Sequence, residues 1–155
     1  MGQVLRLQGG AVAFVTLLVD TSVWSLALRR DTAASEPEVE ALKDALAGSE
    51  VVVTTGLILQ ELLQGFAGPK ARLQIIESFA SLGLIQPDRE DHIAAANLRN
   101  TCRQAGVQVA TVDALIAQLC IRHDITLLST DKDFAHAAQH CKLKLWPQKT
   151  TRHRQ

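Results

Sequence analysis

The chain carries no net charge, because its 16 basic and 16 acidic side chains cancel. It also has no C-x-x-C pair, no Gly/Ser/Pro-rich linker, no internal repeat and no apolar run approaching the ~18 residues that would cross a bilayer. Each absence excludes something. Cys102, Cys120 and Cys141 are odd in number and far apart, which supports neither a disulfide framework nor a structural zinc site. Reduced, buried thiols in a cytoplasmic protein are expected instead. Without G-x-G-x-x-G or a Walker loop, nucleotide cofactors are not indicated, and without G-x-S-x-G neither is a serine hydrolase. His136 and His140 stand four apart beside Cys141, yet no Glu follows His136 and the H-E-x-x-H zinc motif is absent. The missing basic excess argues, at first sight, against a nucleic-acid partner.

What is present is apolar. At 47% hydrophobic residues over 155 positions, the composition excludes a disordered chain and suits a single domain with its own core. We place that domain at 1–147, with a polar tail at 148–155. Residues 1–16 contain one charge, Arg6, and the apolar stretch Ala11 to Val19 runs directly into Asp20-Thr21-Ser22. That reads as a strand rather than a signal peptide.

Strand-length apolar runs alternate with helical patterns, the signature of an α/β fold with a small, mainly parallel sheet flanked by helices. Strands are expected at Leu17–Val19, Val51–Thr54 and Ile125–Leu128, with shorter ones at Leu84–Ile85 and Leu143–Trp146. Val51-Val52-Val53 is β-branched without alternation, as in a strand covered on both faces. Helices are expected from near Ser22, from Pro37 to Gly48, from Thr55 to Gln64 and from Pro69 to a stop at Gly83. Asp88 is a plausible N-cap for a helix reaching Gln104 before Gly106. Val112, Leu115, Ile116, Leu119 and Cys120 recur at helical spacing, and a short helix spans Lys132 to His140.

Most acids need no special role. Glu36, Glu38 and Glu40 open one predicted helix, and Asp88, Glu90 and Asp91 another, where they complement the dipole and face water. Five others are placed differently. Asp20 directly follows a strand, at the carboxyl end where open parallel sheets bind ligands, although it could equally cap the next helix. Asp131 and Asp133 follow the Ile125–Leu128 strand, and only one of them is needed as a cap. Glu61 shares a helical face with Leu57, Ile58 and Leu62, so it either needs a compensating partner or sits at the stripe's edge. Asp113 lies in the first turn of its helix, where capping is the simpler role. Together these acids would repel one another unless some were protonated or a hard cation sat among them. Carboxylate-only donors suit Mg²⁺ or Mn²⁺, and such an ion can activate water and neutralise a phosphate under in-line attack.

The runs Leu17-Leu18-Val19-Asp20-Thr21-Ser22-Val23-Trp24, Gln60-Glu61-Leu62, Thr111-Val112-Asp113-Ala114-Leu115-Ile116-Ala117 and Leu128-Ser129-Thr130-Asp131-Lys132-Asp133-Phe134 resemble the four acidic motifs of PIN-domain ribonucleases. In order, spacing and chain length they are most similar to the VapC toxins of bacterial toxin–antitoxin pairs, over about Leu17 to Trp146. The resemblance implies Asp20, Glu61, Asp113 and Asp131 as a metal-binding and catalytic quartet, with Asp133 as an accessory metal ligand. It also implies a PIN-like α/β/α fold, Mg²⁺- or Mn²⁺-dependent cleavage of RNA phosphodiesters by metal-activated water, a homodimer, and inhibition by a cognate antitoxin. The chain departs from the family where 16 residues precede Leu17; a mis-assigned start near Val15 or an added edge strand would account for them.

Thr21, Ser22 and Ser129 lie beside the acids and could orient a carboxylate, while Lys132, between Asp131 and Asp133, is a candidate for a substrate phosphate. Arg99 and Arg103 share a helical face that is more simply a solvated one. Trp24 reads as core before it reads as a platform for a base. Two other functions fit the acids less well: a PIN-like module that binds RNA or protein without cutting, and a metal phosphohydrolase of small phosphate esters. Setting the quartet aside leaves 12 acids against 16 bases, and after Asp133 there are five basic residues and no acid. The neutral total is therefore compatible with an acidic pocket on a mildly basic exterior.

Overall fold

The computed structural model describes residues 15–29 and 36–147. The expected N-terminal extension, apart from its last two residues, and the polar tail lie outside the described residues. Five parallel strands form one sheet in the order β3-β2-β1-β4-β5: β1 (Thr16–Val19), β2 (Val51–Thr55), β3 (Gly83–Ile85), β4 (Thr126–Leu128) and β5 (Lys144–Leu145). Described helices flank it: α1 (Thr21–Leu28), α2 (Pro37–Asp44), α3 (Gly56–Gly65), α4 (Pro69–Ala80), α5 (Arg89–Gln104), α6 (Thr111–Arg122) and α7 (Lys132–Ala137). A π-helical turn at Ala45–Ser49 extends α2 and includes Gly48, whose φ of 112° only glycine adopts at little cost.

Strand order decides where a site can form. The first described strand, β1, lies in the middle of the sheet; the described chain builds outward through β2 and β3, then returns to the other side of β1 with β4 and β5. Order reverses between β1 and β4, and connections leaving those two strands diverge to open a crevice at their carboxyl ends. The register makes the two ends level: Val19 pairs with Leu128, and the Asp20 N–H donates to the Leu128 carbonyl at 2.9 Å. Leu17, Leu18 and Val19 are buried, as are Leu127 and Leu128. Each such leucine contributes about 1.5–3 kcal/mol by leaving water, which anchors the crevice floor.

Helix α6 buries Ala114, Leu115, Ile116, Leu119 and Cys120 and packs on α5. Its N-terminal turn is thereby fixed beside the same crevice. The structure differs from the sequence expectations in three places. Helix α4 stops at Ala80, because Gly83 is recruited into β3 opposite Val53. Helix α7 ends at Ala137, so His136 and His140 do not share a helix. Asp91, expected to face water, is fully buried. It completes a capping box with Asp88 and meets Arg122 of α6 twice, Nε to Oδ1 and Nη2 to Oδ2, both at 2.6 Å. Burial works against its charge, but Arg122 and the Asp88 N–H outweigh that and hold the Asp91 carboxyl below the usual range.

Candidate active site

Asp20 occupies the N-cap position of α1, yet its side chain makes no capping bond. It is only 6% exposed, and both Ser22 and Ser129 donate their hydroxyls to the same oxygen, Oδ2, at 2.7 and 2.9 Å. The serines are themselves oriented by backbone: the Thr130 N–H donates to Ser22 Oγ at 3.1 Å, and the Asp131 N–H to Ser129 Oγ at 3.0 Å. A hydrogen-bonded chain thus runs from the β4–α7 connection into the β1 carboxylate. Its buried acceptor has been compensated, as a carboxylate removed from water must be.

Asp131 then acts as a true N-cap, accepting the Asp133 N–H on Oδ1 at 2.9 Å, while Asp133 sits in the first turn of α7. Both are exposed. Glu61 lies on α3 next to the buried Ile58 and Leu62, which leaves it half-buried at the edge of the apolar stripe. Thr21 Oγ1 donates to Glu61 Oε2 at 2.9 Å, tying α3 to the first residue of α1. Asp113 is the third residue of α6, a helix whose cap position, Ala110, offers no side-chain bond.

Electrostatics draw these acids into one group. Burial, and after it the charges of Asp20, Asp131, Glu61 and Asp133, push the Asp113 carboxyl up to about 6. Among the described residues no ion pair reaches any of the five acids; the pairs present are Lys43–Glu40, Arg122 with Asp88 and Asp91, and Lys144–Asp124. Among the described residues, too, no three His, Cys, Asp or Glu side chains are close enough to enclose a metal ion. The donors nonetheless suit one chemically. They are all carboxylate oxygens, no ion pair among the described residues neutralises them, and Asp20, Glu61 and Asp131 are already oriented by hydrogen bonds.

The remaining candidates fall into place around this group. Lys132 is exposed at the start of α7, between the two acids. Arg99 is committed elsewhere, its Nε donating to the Val109 carbonyl at 2.8 Å. Trp24 is core, 5% exposed and tilted against Phe79 with ring centroids 4.7 Å apart. Sequence reasoning missed the wall of a cavity of about 700 Å³ that shares Ser129, Thr130, Asp131 and Lys132 with the site and is completed by Glu36, Glu38, α7 and the segment from Leu143 to Pro147. No local pattern signals such a wall, because it is assembled from elements about 100 residues apart.

An acidic crevice at the switch point of a small parallel sheet defines the class of molecule. The family model for the PIN domain matches residues 17–139, and the chain belongs to that family. Its fold is similar to that of VapBC2 from Rickettsia felis, solved bound to a DNA fragment from their promoter: 18% identity, TM-score 0.66, covering 84% of this chain and 97% of that one. It is also similar to FitAcB from Neisseria gonorrhoeae, at 22% identity and TM-score 0.61 over 83% of this chain and 95% of that one. A third similar structure is Mycobacterium tuberculosis VapC20, described as a sarcin-ricin loop cleaving toxin, at 20% identity and TM-score 0.60 over 82% and 98% of the respective chains.

Proposed function

We propose that this chain is a divalent-metal-dependent endoribonuclease. In that reading it is the toxin of a toxin–antitoxin pair, works as a cytoplasmic homodimer and is restrained by a cognate antitoxin protein. The observation that carries the reading is the Asp113 carboxyl, pushed up to about 6 by burial and after it by Asp20, Asp131, Glu61 and Asp133, none of which forms an ion pair among the described residues. A carboxyl perturbed by burial and by neighbouring acids in a crevice marks a candidate functional site. The similarity to VapC20, a sarcin-ricin loop cleaving toxin, supports the substrate class, and that to VapBC2 and to a Mycobacterium tuberculosis member of the VapBC family of toxin-antitoxin systems supports the antitoxin.

Asp20, Glu61, Asp113 and Asp131, with Asp133 as an accessory, would hold Mg²⁺ or Mn²⁺. A bound divalent ion supplies a lowered pKa for water and charge neutralisation at the phosphate. The residues around it do the rest. Ser22 and Ser129 fix Asp20 Oδ2, and Thr21 steadies Glu61, so the carboxylates lose little freedom when they are loaded. Asp113 holds a proton below about pH 6 and must release it when a cation enters. Lys132 offers its ammonium to a non-bridging phosphate oxygen. Helix α7 presents no described acid beyond Asp133, and so leaves the approach of a polyanion open.

The test is to incubate the protein with total cellular RNA and with a phosphomonoester, each with Mg²⁺ and with EDTA, and to sequence the new RNA ends. Discrete RNA ends that require Mg²⁺ and leave the phosphomonoester intact are expected. Phosphomonoester turnover without RNA cleavage would transfer the site to small phosphate esters, and intact RNA in Mg²⁺ would leave only a binding module.

A further inference from the structure

We propose that the cavity beside the acid cluster is a nucleobase subsite, which receives the unpaired base next to the phosphate being cut. The inference rests on the ribonuclease reading and names how that site holds its substrate. At about 700 Å³ the cavity falls within the ~300–1,000 Å³ of sites that enclose a small molecule. Its position assigns the occupant. Asp131 and Ser129 belong at once to this wall and to the hydrogen-bonded network around Asp20, so a ligand here lies next to the acids.

Part of its wall matches a base in kind, while Glu36 and Glu38 line it as well and offer carboxylate acceptors to a base's N–H groups. Ala135 and Ala138, three residues apart on α7 and its cap, face the cavity with methyl groups only, and the half-buried Trp146 lines it from the β5 end. Short side chains and an indole in one cavity wall suit a flat aromatic ring, which every base can offer to a π face. Lys132 stands at the acid-cluster end, where the attached phosphate would fall. Single-stranded RNA is read in this way, by splaying a base onto an aromatic side chain. A duplex keeps its bases stacked and could not fill the wall, so the subsite also selects loops and unpaired segments.

The experiment uses the two tryptophans as reporters of the same molecule. Indole N–H resonances are followed by NMR, in EDTA, while AMP, CMP, GMP, UMP or ribose 5-phosphate is added up to ~millimolar dissociation constants. At least one nucleotide should shift the Trp146 indole in a saturable way, while Trp24, buried on Phe79, stays put as an internal control. Ribose 5-phosphate should move neither. Ala135→Leu keeps helix propensity and fills the slot, and should weaken the nucleotide response about tenfold with the Trp24 resonance unchanged. Silence of Trp146 towards all four nucleotides, an equal response to ribose 5-phosphate, or no effect of Ala135→Leu each overturns the subsite. RNA cleavage by the same sample is scored separately: nucleotide binding without cleavage keeps the subsite and fails the ribonuclease reading, and cleavage without nucleotide binding does the reverse.

Discussion

Ser129 Oγ donates to Asp20 Oδ2 at 2.9 Å across 109 residues of sequence. The bond spans the gap between the ends of β4 and β1, where the order of the strands reverses, and it makes one unit of two loops that could otherwise move apart. Ser22 adds the second donor to the same oxygen.

Removing Ser129 should therefore loosen Asp20 without removing a proposed ligand. Ser129→Ala is expected to raise the Mg²⁺ concentration for half-maximal RNA cleavage by roughly 10–100-fold, with the melting temperature little changed. Ser22→Ala and the double variant should be non-additive with it, since both hydroxyls serve one carboxylate oxygen. A cleavage rate that falls at saturating metal with no change in Mg²⁺ dependence would contradict a positioning role.

The raised carboxyl of Asp113 sets a pH dependence whose sign is fixed. The folded protein holds this proton up to about pH 6, while the unfolded chain releases it near the ordinary value of 3.8. Stability without metal should thus decline as pH rises from about 4 to 6, by about 1 kcal/mol once partial exposure is discounted. Asp113→Asn should melt above the parent at pH 7 in EDTA and level with it at pH 4. Adding Mg²⁺ should reverse that order at pH 7, because only the parent gains from binding. A variant no more stable than the parent at pH 7 in EDTA would deny the repulsion.

Asp91 and Arg122 make the opposite case. Asp91 is fully buried and its carboxyl is depressed, so its contribution is present above the unfolded value and is lost as pH falls through the folded one. Arg122→Ala strands that charge and should destabilise the fold by about 3 kcal/mol, read by denaturant unfolding at pH 7. Cleavage per folded molecule should be unchanged, because this pair is not one of the site's acids.

Lys132→Gln should weaken RNA binding by a modest, sequence-independent amount and lower the salt slope of log Kd by about 1. Lys142→Gln, placed beyond the cavity wall, is the matched control. Equal effects from both would make Lys132 one more surface charge.

Much of this was legible in the sequence, because its central strands carry short apolar runs (Leu17–Val19, Val51–Val53, Leu127–Leu128) and its breaks fall at Pro37, Pro69 and Gly106. The placement of Asp20 after a strand was readable for the same reason: period and punctuation are local. Asp91 was not. In sequence it is an ordinary first-turn acid, and only the arrival of Arg122 from the next helix removes it from water. The convergence of Ser22 and Ser129 on one oxygen, and the wall joining Ala135 to Trp146, likewise depend on which strands become neighbours. Residue type suggested the serines; nothing local suggested the wall. Gly83 misled for a physical reason, since a glycine after a helical run reads as a stop, whereas here it enters a strand beside Val53.

The most direct measurement is cleavage of an end-labelled, unpaired RNA by the parent and by Asp20→Asn, side by side in Mg²⁺ and in EDTA, with melting curves to show that both are folded. The parent should cut only with Mg²⁺, and Asp20→Asn should lose at least ~100-fold in rate, about the 2.7 kcal/mol expected when one group acting on the transition state is removed. A folded Asp20→Asn that cuts like the parent, or a parent that cuts equally in EDTA, would contradict the assignment of these acids to a metal-dependent ribonuclease site.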